Sequence, residues 1–128
     1  MSASVAFARA DSRPAACEPD SLFRALGDPT RIRIANLMAA GELCVCDLVE
    51  LLALPQPTVS RHLAVLRTGG IVRARRSGRY THYRLAEPRS AFHASLLGAI
   101  HRHLDGPQLA AERSRALERA AERRRNPC

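Results

Sequence analysis

Apolar positions recur at helical spacing through most of the chain, and the period changes once. Asp20 can cap a short helix holding Leu22, Phe23 and Leu26. The GDP at 27–29 stops it and starts another, with Asp28 as N-cap and Pro29 at the first helical position. That helix, 29–39, carries Ile34, Leu37 and Met38 on one face and ends at Gly41. The next, 44–53, shows Val45, Leu48, Leu51 and Leu52 at the same spacing. After the break LPQP, a helix over 57–68 turns Val59, Leu63 and Leu66 inward and ends at Gly69-Gly70. Residues 71–85, IVRARRSGRYTHYRL, are rich in β-branched and aromatic residues around Ser77-Gly78, which predicts a β-hairpin. After Pro88 a helix resumes, with Phe92, Leu96, Ile100 and Leu104 spaced by four, and Gly106-Pro107 breaks it. The stretch 108–125 alternates Ala, Glu and Arg. Acids such as Glu118 and Glu122 lie within four residues of arginines, the pattern of a frayed, solvated helix.

At 128 residues this is one small domain. The expected division is a flexible arm over 1–18, a folded domain over 19–105 and an Arg/Ala-rich tail over 106–128. With five Phe and Tyr and no Trp, the core must be Leu, Ile, Val and Ala. So small an aliphatic core favours pairing with a second copy, and a dimer is expected. No apolar run is long enough to span a bilayer, and the N-terminus lacks the apolar stretch of a signal peptide. A cytoplasmic protein without a membrane partner is expected.

The formal net charge is +8, which points to a polyanionic partner, nucleic acid first. Two short helices, a tight break and a hairpin form the pattern of a winged helix-turn-helix: a mainly α fold with a β-hairpin. Helix 57–68 leaves Thr58, Ser60 and Arg61 outward near its N-terminal end, where a recognition helix meets base edges. Arg favours guanine, and Ser and Thr serve either base type or phosphate. Gln56, just ahead, reaches adenine or phosphate. His62 is a candidate at the same edge, better suited to packing than to reading a base. On the hairpin, Arg73, Arg75, Arg76, Arg79 and Arg84 suit phosphate contact, with Arg76 and Arg79 flanking the tip. Double-stranded DNA is the expected partner.

Four cysteines in a reducing compartment argue for thiols, metal ligands or redox sensors rather than structural disulfides. Cys44 and Cys46 sit in ELCVCDL at 42–48. Buried small hydrophobes are the plain alternative. On an ideal helix, however, residues two apart point about 200° from each other. Gripping one ion then requires the first turn of helix 44–53 to distort. Its N-terminal position favours thiolate, and thiolates select soft ions. Distortion there would shift helix 57–68 and couple the ion to DNA affinity. A thiol enzyme is disfavoured: there is no Cys-x-x-Cys, no Gly-rich phosphate loop and no Ser/His/Asp arrangement. No permanently bound cofactor is expected.

GDPTR, ELCVCDL, QPTVSRHLAVL and GRYTHYRL occur in order, and over roughly 22–105 the chain resembles the ArsR/SmtB family of metal-responsive repressors. The resemblance implies a homodimer that binds operator DNA when metal-free and releases it when metal binds. It implies an interface through the first and last core helices, about 20–26 and 89–104. ELCVCDL looks like the motif of arsenite- and antimonite-responsive members, so As(III) or Sb(III) is the implied inducer. Their third cysteine falls where this chain has Val49. Two thiolates then serve alone, or Cys17 or Cys128 adds a third. Cd(II)/Pb(II)-responsive relatives also carry CVC and recruit N-terminal cysteines, which keeps Cd, Pb, Bi or thiol oxidation as alternative signals. The zinc site of other relatives needs an Asp and a His where this chain has Arg89 and Ala91. His93, His101 and His103 are therefore read as satisfied or exposed.

Overall fold

The computed structural model describes residues 19–104 and 106–127. The arm over 1–18, Cys17 and Cys128 lie outside the described residues. Helix α1 spans Pro19–Leu26 and α2 spans Pro29–Met38. Asp28 caps α2: its carboxylate accepts from the N–H groups of Thr30 at 2.9 Å and Arg31 at 3.3 Å. Asp20 does not cap α1. It lies within the first turn and pairs with Arg24 at 3.6 Å.

A two-residue strand β1, Leu43–Cys44, leads directly into α3, Val45–Leu52. Thus α3 starts one residue later than predicted, and Cys44 is extended rather than helical. Ala53 then turns the chain in the left-handed region, with φ 56 and ψ 45. Helix α4, Gln56–Thr68, begins one residue earlier than expected, so Gln56 belongs to it. Val59, Leu63 and Leu66 face inward, as predicted. Gly69 is the close approach between α4 and α1: a Cβ there would stand 2.6 Å from the Cβ of Ala25.

Strands β2 (Val72–Ser77) and β3 (Tyr80–Leu85) form the hairpin. Ser77 pairs with Tyr80, so the two-residue loop is Gly78-Arg79, one residue beyond the predicted turn pair. Gly78 has φ 63, the positive value required at the first loop position of a II′ hairpin. Strand β1 adds to the other side of β3, giving the order β1-β3-β2 with Cys44 opposite His82.

Helices α5 (Ala91–His103) and α6 (Pro107–Arg125) complete the chain. The buried face of α5 is His93, Leu97 and Ile100; of the predicted stripe, Ile100 is in the core and Leu96 packs against it. Phe92 and Leu104 are exposed, and Phe92 meets the more exposed Phe23 of α1 edge to face, ring centres 5.6 Å apart. The core is aliphatic, as composition required.

Helix α6 corrects the expectation of a solvated tail. Ala116 and Ala120 are buried in the common core. Glu112, also buried, accepts from Arg33 of α2 at 2.6 Å. The buried Asn36 donates to the Leu109 carbonyl at 3.2 Å and accepts from Arg113 at 2.8 Å. Every polar group α6 buries here has a partner, which removes the desolvation penalty that would expel it.

Candidate thiol site and nucleic-acid interface

Cys44 occupies the N-cap of α3 with φ −90 and ψ 167, and Cys46 is the second residue of that helix. This junction changes the geometry expected of the pair. Because Cys44 is extended, the two sulfurs stand 2.7 Å apart while the first turn of α3 stays regular. No unwinding is needed to bring them together. Cys44 is buried and Cys46 exposed, so the pair opens to solvent on one side.

Asp47 lies beneath them and is fully buried. Its Oδ2 accepts from the Cys44 backbone N–H at 3.0 Å, the N3-to-N-cap half of a capping box. The Cys44 thiol donates to the same oxygen at 3.3 Å. With that proton placed, the Cys46 thiol is the donor to the Cys44 sulfur. From α6, Arg119 reaches Oδ1 at 2.8 Å, and Arg123 bonds both oxygens at 2.8–3.1 Å. Burial pushes the Asp47 carboxyl up, but bonds from Arg123, Arg119 and Cys44 outweigh it and hold the group at about 2. Among the described residues, only Cys44, Cys46 and Asp47 bring three possible ligand atoms within 4.8 Å of one another. The two sulfurs suit a soft ion. Asp47 does not: both its oxygens are taken by cationic or N–H donors.

The open side of the thiol pair is a cleft of about 410 Å³. Cys44, Cys46, Val49 and Glu50 line it together with Gln56, Arg79 and Tyr80. The first residue of α4 and the hairpin tip thus border the same cleft as the thiols. On α4, Gln56, Ser60 and Arg61 are exposed and Thr58 is half-buried.

A model of bacterial regulatory proteins of the arsR family matches residues 28–74. The arsenical resistance operon repressor of Escherichia coli is 45% identical over 80 residues, covering 62% of this chain and 68% of that protein. The chain belongs to the ArsR family. The arsenic resistance transcriptional regulator ArsR1 of Pseudomonas putida is 52% identical over 68 residues, 52% of this chain and 53% of its own. Among solved structures, the homodimeric winged helix-turn-helix DNA-binding domain Mb0332 of Mycobacterium bovis is 30% identical with TM-score 0.57. That match covers 67% of this chain and 81% of the other. These relatives are regulators of transcription, not enzymes, and helices α3 and α4 with the β2–β3 wing are the ArsR-family winged helix-turn-helix.

Within this ArsR-family frame the DNA candidates separate. His62 is tied to α2: Arg31 donates to its Nδ1 at 3.1 Å, which leaves the ring proton on Nε2. Arg75 is held by Glu42 at 2.7 and 3.1 Å, and Arg76 donates to the Gly78 carbonyl of its own turn. Among the described residues Arg79 makes no ion pair. The histidines form no cluster. His93 is buried in α5, and burial with the nearby Arg89 charge lowers its pKa. His101 donates from Nε2 to the Ala35 carbonyl at 3.1 Å, and His103 is exposed. Among the described residues, no helix is long and apolar enough to cross a membrane.

Proposed function

We propose that this ArsR-family repressor binds double-stranded operator DNA as a homodimer and is released when As(III) or Sb(III) takes the thiolates of Cys44 and Cys46. The arsenic-resistance names of its relatives support the inducer class. The observation that carries the reading is the sharing of one cleft by the thiol pair, Gln56 and Arg79.

The geometry supports release by local contact. Gln56 and Arg61 at the start of α4 read the major groove, with Thr58 and Ser60 on bases or phosphate. Arg76 and Arg79 at the wing tip hold the backbone. An ion bonded to the two sulfurs occupies the space between these elements. The DNA-bound arrangement of Gln56 and Arg79 and the ion-bound one then differ in free energy, which is what coupling requires. The dimer forms through α1 and α5, which bring the exposed Phe23 and Phe92 together on one surface.

Fluorescence anisotropy on DNA from the protein's own promoter tests this. Arsenite, antimonite, cadmium, lead and zinc are titrated separately under reducing conditions. Release by arsenite and antimonite at the lowest concentrations is expected. Cys44→Ser and Cys46→Ser should each bind DNA normally and resist release. Release by cadmium or lead alone moves the protein to the divalent-metal branch, and release of either serine variant by arsenite removes the thiol pair as sensor.

A further inference from the structure

The cleft is far larger than an ion requires. A single water needs roughly 10–15 Å³ of such space, whereas this cleft offers about 410 Å³. That falls in the range of small-molecule sites. Trivalent arsenic forms three bonds, and the described residues offer two sulfurs. Asp47 is closed to a third bond, since Arg119, Arg123 and the Cys44 N–H fill both its oxygens. Val49, which also lines the cleft, carries no donor atom. Among the described residues the thiol pair opens onto the cleft, which Arg79, Tyr80 and the acid Glu50 also line.

We propose that the third ligand on arsenic is a small carboxylate-bearing thiol of the cysteine or glutathione class, seated in this cleft with its carboxylate on Arg79. This rests on the arsenic reading above and extends it. The step is ligand exchange without redox change. An arsenic(III) tris-thiolate loses two of its As–S bonds and gains one to Cys44 and one to Cys46. The two cysteine protons leave on the two departing thiols, and the third thiolate stays bound. Its carboxylate then occupies the guanidinium that the wing offers to a DNA phosphate, so the retained thiol itself opposes operator binding. The pairing is charge-assisted and of the kind Arg makes with carboxylates.

Native mass spectrometry of the wild-type protein with arsenite tests it, once with glutathione and once with a phosphine reductant alone. The expected species with glutathione carries one arsenic and one glutathione per protomer. Arsenic bound without glutathione in both samples overturns the proposal and leaves the arsenic reading intact, with the third bond made by the chain itself. No arsenic in either sample removes both. A second measurement fixes the role of Arg79. Arsenite-dependent change in intrinsic Tyr fluorescence is titrated with glutathione or with the neutral thiol 2-mercaptoethanol. Wild type should bind about tenfold more tightly with glutathione, the scale of one charge-assisted bond. Arg79→Ala should lose that preference, and an undiminished preference rejects the carboxylate contact.

Discussion

Arg123 grips Asp47 through two nitrogens, Nε at 2.9 Å from Oδ2 and Nη2 at 2.8 Å from Oδ1. The contact joins α6 to the residue that caps α3 and touches the Cys44 thiol. Its strength comes from geometry and burial: a bidentate guanidinium meets a carboxylate that is fully enclosed. Removing one partner strands the other in a low-dielectric site.

This gives a pH-dependent stability. The Asp47 carboxyl is depressed from 3.8 to about 2 on folding. A depressed acid contributes stability above its unfolded value and loses it as pH falls through the folded one. The contribution is about 2 kcal/mol at neutral pH. Asp47→Asn should therefore lose about 2 kcal/mol in urea unfolding at pH 7, and the gap to wild type should close as pH falls toward 2. A gap of constant size at low pH would assign the loss to shape rather than charge. Arg123→Ala should cost about 2 kcal/mol, less than the ~3–5 kcal/mol of a fully buried pair, because Arg119 remains.

The Asp47 clamp was not legible in the sequence, for a physical reason. Its guanidinium partners lie 72 and 76 residues away, and an acid in a helix's first turn already has a local explanation. The burial of helix α6 is hidden in the sequence for a related reason. Its buried positions are Glu112, Ala116 and Ala120, which show no apolar stripe because the acid is neutralised by Arg33. The stripe of α5 was offset because Phe92 and Leu104 look inward by spacing yet are exposed in the single chain. By contrast, Asp28-Pro29 and the helix over 56–68 carry their own local signals: the first caps α2 as the pattern predicts, and the second starts within one residue of the predicted position. Cys44 and Cys46 were legible as a pair. Their approach was not, since periodicity does not reveal that a two-residue strand ends between them.

Ala53 is the only described non-glycine residue with positive φ, and it makes the turn between α3 and α4. A left-handed conformation costs a residue with a Cβ roughly 1–2 kcal/mol. Glycine removes that strain but loses more entropy on folding. Ala53→Gly should raise stability by about 0.5 kcal/mol, a small upward shift of Tm by calorimetry. A clear drop in Tm would show that the Ala53 methyl packs usefully.

Phe23 and Phe92 expose large aromatic surface on α1 and α5 while touching only edge to face. Aromatic anchors of this kind dominate interfaces. Phe92→Ala should weaken self-association at least tenfold, read by sedimentation equilibrium, because truncating an interface anchor costs on the order of 2 kcal/mol. The monomer fold should persist, since the ring is 41% exposed and lies outside the core cluster. Unchanged self-association would move the interface off this surface.

Arg75 and Arg79 lie four residues apart on the wing but are in different electrostatic situations. Arg75 is neutralised by Glu42 at 2.7 Å, whereas Arg79 makes no ion pair among the described residues. A cation that binds phosphate displaces a condensed counterion, and each such contact adds roughly one to the slope of log affinity against log salt. Arg79→Ala should therefore reduce that slope by about 1 and weaken specific and non-specific DNA alike. Arg75→Ala should leave the slope nearly unchanged, because its charge is already paired with Glu42. Glu42→Gln makes the complementary case: it releases Arg75 and should steepen the slope. Equal slopes for Arg75→Ala and Arg79→Ala would mean that the Glu42 pair opens on DNA and that both arginines reach the backbone.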